Sequence, residues 1–173
     1  LNLQTIVSRN APALVPTVLS FGKVEANGAT NVIPSEVKIE GTFRTMDEEW
    51  RGKAHSLIET KANGIAQSMG GGCNIEIRKG YPSVYNNPAL TEKAKKHSME
   101  LLGFDKVVDL EPRMTTDDFA YFSHQIPSVF FRIGVGEPKA EHLQLHSSSF
   151  IASEDSLKTS VLLSVWLLLN NLK

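Results

Sequence analysis

The chain has 173 residues, 41% of them hydrophobic, enough to bury the core of one domain or of two small ones. Its 18 basic and 19 acidic side chains leave a net charge of -1, which argues against a nucleic-acid or anionic-membrane surface. One cysteine, Cys73, excludes an internal disulfide framework and leaves the compartment open, with the cytoplasm favoured.

Taken in chain order, Leu1 to Ser8 has helical character that Asn10-Ala11-Pro12 ends, because proline cannot continue a helix and restricts the residue before it. Val15 to Val24 is rich in β-branched and aromatic residues and predicts a strand. A second strand is predicted where Val37, Ile39, Gly41 and Phe43 alternate with Lys38, Glu40, Thr42 and Arg44, which turns Arg44 away from the core. Thr45 and Glu48 have capping-box spacing, and Trp50, Ala54, Leu57, Ile58, Ile65 and Met69 recur at helical intervals until Gly70-Gly71-Gly72. Ile75 and Ile77 alternate with Asn74, Glu76 and Arg78 as a third strand, and Cys73 beside them is expected to be a buried structural thiol.

Tyr81-Pro82 to Asn87-Pro88 is turn-rich and marks the expected domain boundary. Asn87 as N-cap and Pro88 at the first helical position open a helix that Gly103 closes. A short element at Lys106 to Leu110, a loop from Glu111 to Asp118, a helical turn at Phe119 to Phe122 and an apolar strand from Ser128 to Ile133 follow. The last helix starts at Ser153-Glu154-Asp155 and is apolar nearly all round, which predicts burial against a sheet. Its longest apolar run, Val161 to Leu169, is broken by Ser164 and falls short of the ~20 residues a bilayer span needs, so no membrane anchor is expected.

The chemistry concentrates at Leu145-His146-Ser147, in a loop just ahead of that helix. A neutral imidazole held there suits a metal, but a hydrolytic zinc needs about three protein ligands and an open water position. Upstream there is no HExxH, no HxD and no adjacent glutamate pair in a ligand setting, so His146 reads as the last ligand of a site whose other parts lie outside the chain. His142 precedes it by four residues, but Pro138 and the serine run oppose a helix that would pair the two. His55 and His97 fall within helices and are expected to be solvated or satisfied by neighbours, and His124 suits the end of a helical turn.

Five motifs coincide in order: Leu3-Gln4-Thr5-Ile6-Val7-Ser8-Arg9, Gly28-Ala29-Thr30-Asn31-Val32-Ile33-Pro34, Glu40-Gly41-Thr42-Phe43-Arg44-Thr45, Met114-Thr115-Thr116-Asp117-Asp118-Phe119, and Leu145-His146 before an acidic helix start. Together they resemble the zinc-dependent aminoacylase and hippurate-hydrolase family of amidohydrolases, related to succinyl-diaminopimelate desuccinylase and carboxypeptidase G. The resemblance implies an α/β chain. Residues 1–80 would be a ferredoxin-like βαββαβ lid and dimerisation domain without its first strand, and residues 85–173 the C-terminal portion of a metal-dependent catalytic domain.

It further implies that His146 is a metal ligand and that Asn31 and Arg44 bind the carboxylate end of the substrate, sometimes across a homodimer. Thr116 and Asp117 would line the pocket. The metal would be a pair of zinc ions, with manganese, cobalt or nickel possible, and the substrate an N-acyl amino acid or small peptide. The segment with the other ligands and the glutamate base would be missing, so the chain alone would be inactive. The family's hippurate-hydrolase branch has Glu-Asp-Phe where this chain has Asp117-Asp118-Phe119, and Asp118 is favoured as the cap of the following turn. Two rival readings are a di- or aminopeptidase of the same family and a non-catalytic dimerisation or binding module.

Overall fold

The computed structural model describes residues 1–136 and 145–171. Two compact units divide them, residues 1–83 with 113–120 and residues 84–112 with 121–173.

The first unit is built on an antiparallel hairpin of β1 (Thr17–Glu25) and β2 (Lys38–Thr45). Leu19 pairs with Phe43 and Phe21 with Gly41, after which the register slips so that Lys23 faces Glu40 and Val24 faces Ile39. Gly22 is therefore an extra residue, a β-bulge, and it keeps Phe21 and Val24 on the face that carries Ile39, Gly41 and Phe43. A Cβ on Gly41 would lie 2.6 Å from Cδ1 of Phe21 and 2.5 Å from the carbonyl oxygen of Ser20, so only glycine fits that approach. The other face carries Lys23, Glu25, Lys38 and Glu40, joined by exposed ion pairs of 2.9–3.4 Å that contribute little to stability.

Helix α1 (Glu48–Ser68) covers one end of the apolar face. Its N-cap is Asp47, whose carboxylate accepts the backbone N–H of Trp50 at 2.7 Å, and not the Thr45–Glu48 box expected from spacing. Thr45 is buried, and Glu48 instead pairs with Arg51 at 2.9 Å and accepts the N–H of Ser83. Gly70, at φ 78, ends the helix in the left-handed conformation that glycine tolerates. A 3₁₀ turn at Asn2–Gln4 and a π-helical turn at Ile6–Asn10 replace the single expected helix. Ile6, Leu19, Trp50 and Ala54 form the core, with Ile6 fully buried and the Trp50 indole donating to Oγ1 of Thr17 at 3.0 Å.

Residues 72–80 belong to no helix or ladder, so the third strand is not formed among the described residues. Ile75 and Ile77 are partly buried and Glu76 and Arg78 exposed, which retains the two-residue alternation of a strand without a neighbouring backbone to pair with. Cys73 is exposed, contrary to the buried thiol expected, because no ladder draws its segment into the core.

The second unit packs α2 (Pro88–Leu102) on α4 (Glu154–Asn171), through Ala94, Leu163 and Leu167. Asn87 caps α2 by accepting the N–H of Leu90 at 3.0 Å, Pro88 opens it, and Gly103 follows its end at φ 98. Trp166 donates to the carbonyl of His97 at 2.9 Å, fixing the two helices in register. Lys106 closes a 3₁₀ turn, Phe104–Lys106, and residues 107–110 are irregular where a short element was expected. Residues 128–133 are likewise outside any ladder, though the Asn86 side chain holds the backbone of Phe130 by two hydrogen bonds, as a neighbouring strand would. Without a sheet against it among the described residues, α4 leaves Leu157, Val161, Leu162, Val165, Leu168 and Leu169 exposed, whereas its composition predicted burial all round.

Candidate functional site

In the first unit, one predicted residue meets the loop that carries two others. Arg44 follows Phe43 on β2 and so projects from the face opposite α1. Its Nη1 donates to the carbonyl oxygen of Met114 at 2.9 Å, which ties residues 113–120 to the hairpin. Among the described residues the guanidinium makes this one hydrogen bond, and the side chain is exposed. Its remaining N–H donors can therefore take a carboxylate, for which the planar fork is well shaped.

Beyond Met114, Thr116 is exposed and Asp117 half-buried. The Asp117 carboxylate accepts the N–H of Phe119 at 2.9 Å and its carbonyl the N–H of Ala120 at 3.2 Å, so Asp117, not Asp118, caps the short helix α3 (Phe119–Ser123). One carboxylate oxygen is thus committed to the cap. Sequence reasoning placed the carboxylates but missed the Met114 carbonyl, for which no side-chain pattern is a signal.

Asn31 is not brought to Arg44. It sits with Thr30 at the tip of a tight turn closed by two hydrogen bonds between Ala29 and Val32, of 3.0 and 3.1 Å. The turn lies in the β1–β2 connection, whereas Arg44 is at the far end of β2. Lys38 to Arg44 alone spans roughly 20 Å at strand rise. Gly28 is needed beside the turn, since a Cβ there would lie 2.6 Å from the carbonyl oxygen of Val32 and 2.9 Å from the Pro34 ring. Asn31 is exposed and lines an open groove with Ala26, Gly28, Ile33 and Pro34.

His146 belongs to the second unit. The N–H of Ser153, just ahead of α4, donates to the carbonyl of Val135 at 2.8 Å, and His146 lies eight residues before the helix. His146 has φ 69 and is the one non-glycine residue of positive φ among those described. Such a backbone is uncommon for a side chain with a Cβ and is concentrated at functional positions. The imidazole is exposed and has no hydrogen-bond partner among the described residues. The donor chemistry fits a single metal ligand. Among the described residues no three His, Cys, Asp or Glu side chains gather around a common point, and one imidazole alone cannot hold a hydrolytic metal.

Two other histidines are engaged elsewhere. Nδ1 of His97 lies 2.9 Å from the Glu100 carboxylate. His55 meets Phe43 edge-on at 6.0 Å, and burial, followed by the charges of Arg51 and Lys79, holds its imidazole below the usual pKa. His142 lies outside the described residues.

Comparison with known proteins assigns the chain. The profile of peptidase family M20/M25/M40 matches residues 9–168. The chain belongs to this family. An N-acetyldiaminopimelate deacetylase of Lactococcus lactis is 32% identical over 166 residues, covering 92% of this chain and 41% of the relative. A provisionally named aminohydrolase from methicillin-resistant Staphylococcus aureus superposes with a TM-score of 0.85 at 31% identity, covering 99% of this chain and 44% of that one. YxeP of Bacillus subtilis, described as a dinuclear metal-binding peptidase of family M20, superposes with a TM-score of 0.73 at 26% identity, over 96% of this chain and 42% of its own. The mixed α/β fold is thus that of solved family members, and this chain spans about two fifths of the length of the relatives it matches. Among the described residues no helix is long and apolar enough to cross a membrane.

Proposed function

We propose that residues 1–80 are the lid and dimerisation domain, and residues 85–173 the C-terminal portion of the catalytic domain, of a metal-dependent amidohydrolase acting on the amide bond of N-acyl amino acids or small peptides. The family match over residues 9–168, with relatives that include an N-acetyldiaminopimelate deacetylase, carries this reading. His146 is the metal ligand this chain contributes. Its left-handed backbone supports that role, since such a conformation costs free energy and persists where the surrounding structure demands it. Two zinc ions are the metal proposed, with manganese, cobalt or nickel compatible with an imidazole donor. Bound there, a divalent metal supplies Lewis acidity toward the amide carbonyl and toward water.

Arg44 takes the substrate's carboxylate, and Thr116 and Asp117 line the same pocket. Because Asn31 and Arg44 lie at opposite ends of one hairpin, the Asn31 that completes the carboxylate site comes from a second copy, in a homodimer formed through the lid. The remaining metal ligands and the general base belong to the part of the relatives that this chain does not span, so the chain alone is inactive.

The test uses the protein that carries this chain. His146→Ala is expected to lose its metal, measured as metal per protein by plasma emission, together with nearly all hydrolysis of N-acetyl amino acids. Arg44→Ala is expected to raise KM about ten- to a hundredfold, the worth of a charge-assisted hydrogen bond. Full metal content and activity in His146→Ala would overturn the assignment.

A further inference from the structure

We propose that Arg44 has a second role, as the positioning residue that holds the 113–120 segment on the hairpin, so that the loop bearing Thr116 and Asp117 is set by the same guanidinium that recognises the ligand. The inference rests on the substrate reading above only for its ligand half. Residues 113–120 group with the hairpin unit although the chain on either side of them belongs to the other unit. Within that unit the hydrogen bond from Nη1 of Arg44 to the carbonyl of Met114, at 2.9 Å, joins strand to loop across 70 positions of sequence.

The rest of the loop is organised from there. Asp117 closes on Phe119 and Ala120, and Ala120 is completely buried, so the segment is pinned at both ends, by Arg44 at Met114 and by burial at Ala120. Thr116, exposed between the two pins, has its place fixed by them. A carboxylate drawn to the remaining N–H donors of Arg44 stiffens the guanidinium and, through Met114, the loop. Ligand binding and loop order are therefore coupled through one side chain.

Lysine and methionine separate the two roles. A lysine ammonium can still donate to one carbonyl but cannot form the two parallel bonds of a guanidinium to a carboxylate, and methionine can do neither. Trypsin supplies the loop readout, because the bond after Arg113 is exposed and immediately precedes Met114, while the bond after the equally exposed Lys79 serves as the internal standard. In the intact protein, Arg44→Met is expected to raise the Arg113-to-Lys79 cleavage ratio roughly two- to tenfold, the range for loss of one ordinary hydrogen bond, whereas Arg44→Lys stays near the native ratio.

With N-acetyl amino acids, Arg44→Lys is expected to raise KM while keeping kcat, and Arg44→Met to lower kcat as well. An unchanged cleavage ratio in Arg44→Met, or an equal rise in both variants, overturns the positioning role whatever the kinetics. A raised ratio in Arg44→Met with a native KM in Arg44→Lys sustains it and removes the carboxylate clamp instead.

Discussion

Ile6 is the one large side chain in the described structure with no solvent exposure, and it wedges between Leu19 of β1 and Trp50 and Ala54 of α1. Ile6→Ala removes three buried carbons, about 2.4 kcal/mol at ~0.8 kcal/mol each. Incomplete collapse of the site adds a cavity cost that brings isoleucine-to-alanine losses to 2–5 kcal/mol. With a urea dependence of ~1–1.5 kcal/mol per molar for a unit of this size, the midpoint should fall by roughly 2 M. The two tryptophans make the measurement local, since Trp50 lies in the first unit's core and Trp166 in the second unit. In a Trp166→Phe background at fixed protein concentration, Trp50 emission reports the loss directly. In a Trp50→Phe background, Trp166 tests whether the second unit keeps its own midpoint. A shift of Trp50 emission by less than 0.5 M (~0.7 kcal/mol) would mean that Ile6 is not wedged there, and the argument for how the hairpin carrying Arg44 is held would fail with it.

His146→Gly should stabilise the metal-free chain by about 1 kcal/mol, since glycine relieves the left-handed backbone. Thermal melting in the presence of chelator checks it, and a clearly lowered melting temperature would contradict the strain. Burial and the nearby Arg51 and Lys79 hold His55 neutral in the fold below the pH at which it protonates when unfolded. Stability is therefore complete above about pH 6.5 and falls as the pH drops from there through the lower folded value, because the unfolded chain takes up the proton first. His55→Gln should flatten that slope in melts between pH 7 and 5, and an unaltered slope would exclude His55 as its source. Light scattering after size exclusion should show the chain paired with a second copy or with a companion segment, because β2 and the alternating segment at residues 74–78 leave backbone groups unpaired. A cooperatively melting monomer of 19.0 kDa with no companion would refute that.

Elements specified by local chemistry were legible in the sequence. Asn87-Pro88 and Gly103 bound α2 as their side chains and backbone freedom require, and Gly70 ends α1. Caps were harder, because Thr45 and Asp47, or Asp117 and Asp118, are near-equivalent short acceptors, and packing decides between them. Thr45 is drawn into the core and Asp47 left to cap. The strand expected at residues 74–78 has the right alternation and the one expected at 128–133 an apolar run, yet a ladder depends on a second backbone that neither pattern can report. The same dependence misplaced Cys73 and the outer face of α4. Of the candidate site, the residue types at Arg44 and His146 were legible, whereas the Met114 contact and the left-handed backbone of His146 belong to loop geometry that side-chain patterns do not encode.

Gly22 works as a phase corrector. Read by simple alternation, the inward set Leu19 and Phe21 would continue at Lys23 and send a charge to the apolar side, but the extra residue advances the count by one and Val24 arrives there instead. Deleting this single glycine would leave Lys23 opposite Glu40 and Val24 opposite Ile39 in an unbroken ladder, so the loss would be the local bend and added twist of the bulge and not the two-faced pattern. The hairpin should therefore accept the loss of Gly22 without any compensating change in β2, with the effect appearing in strand twist and not in which side chains face α1.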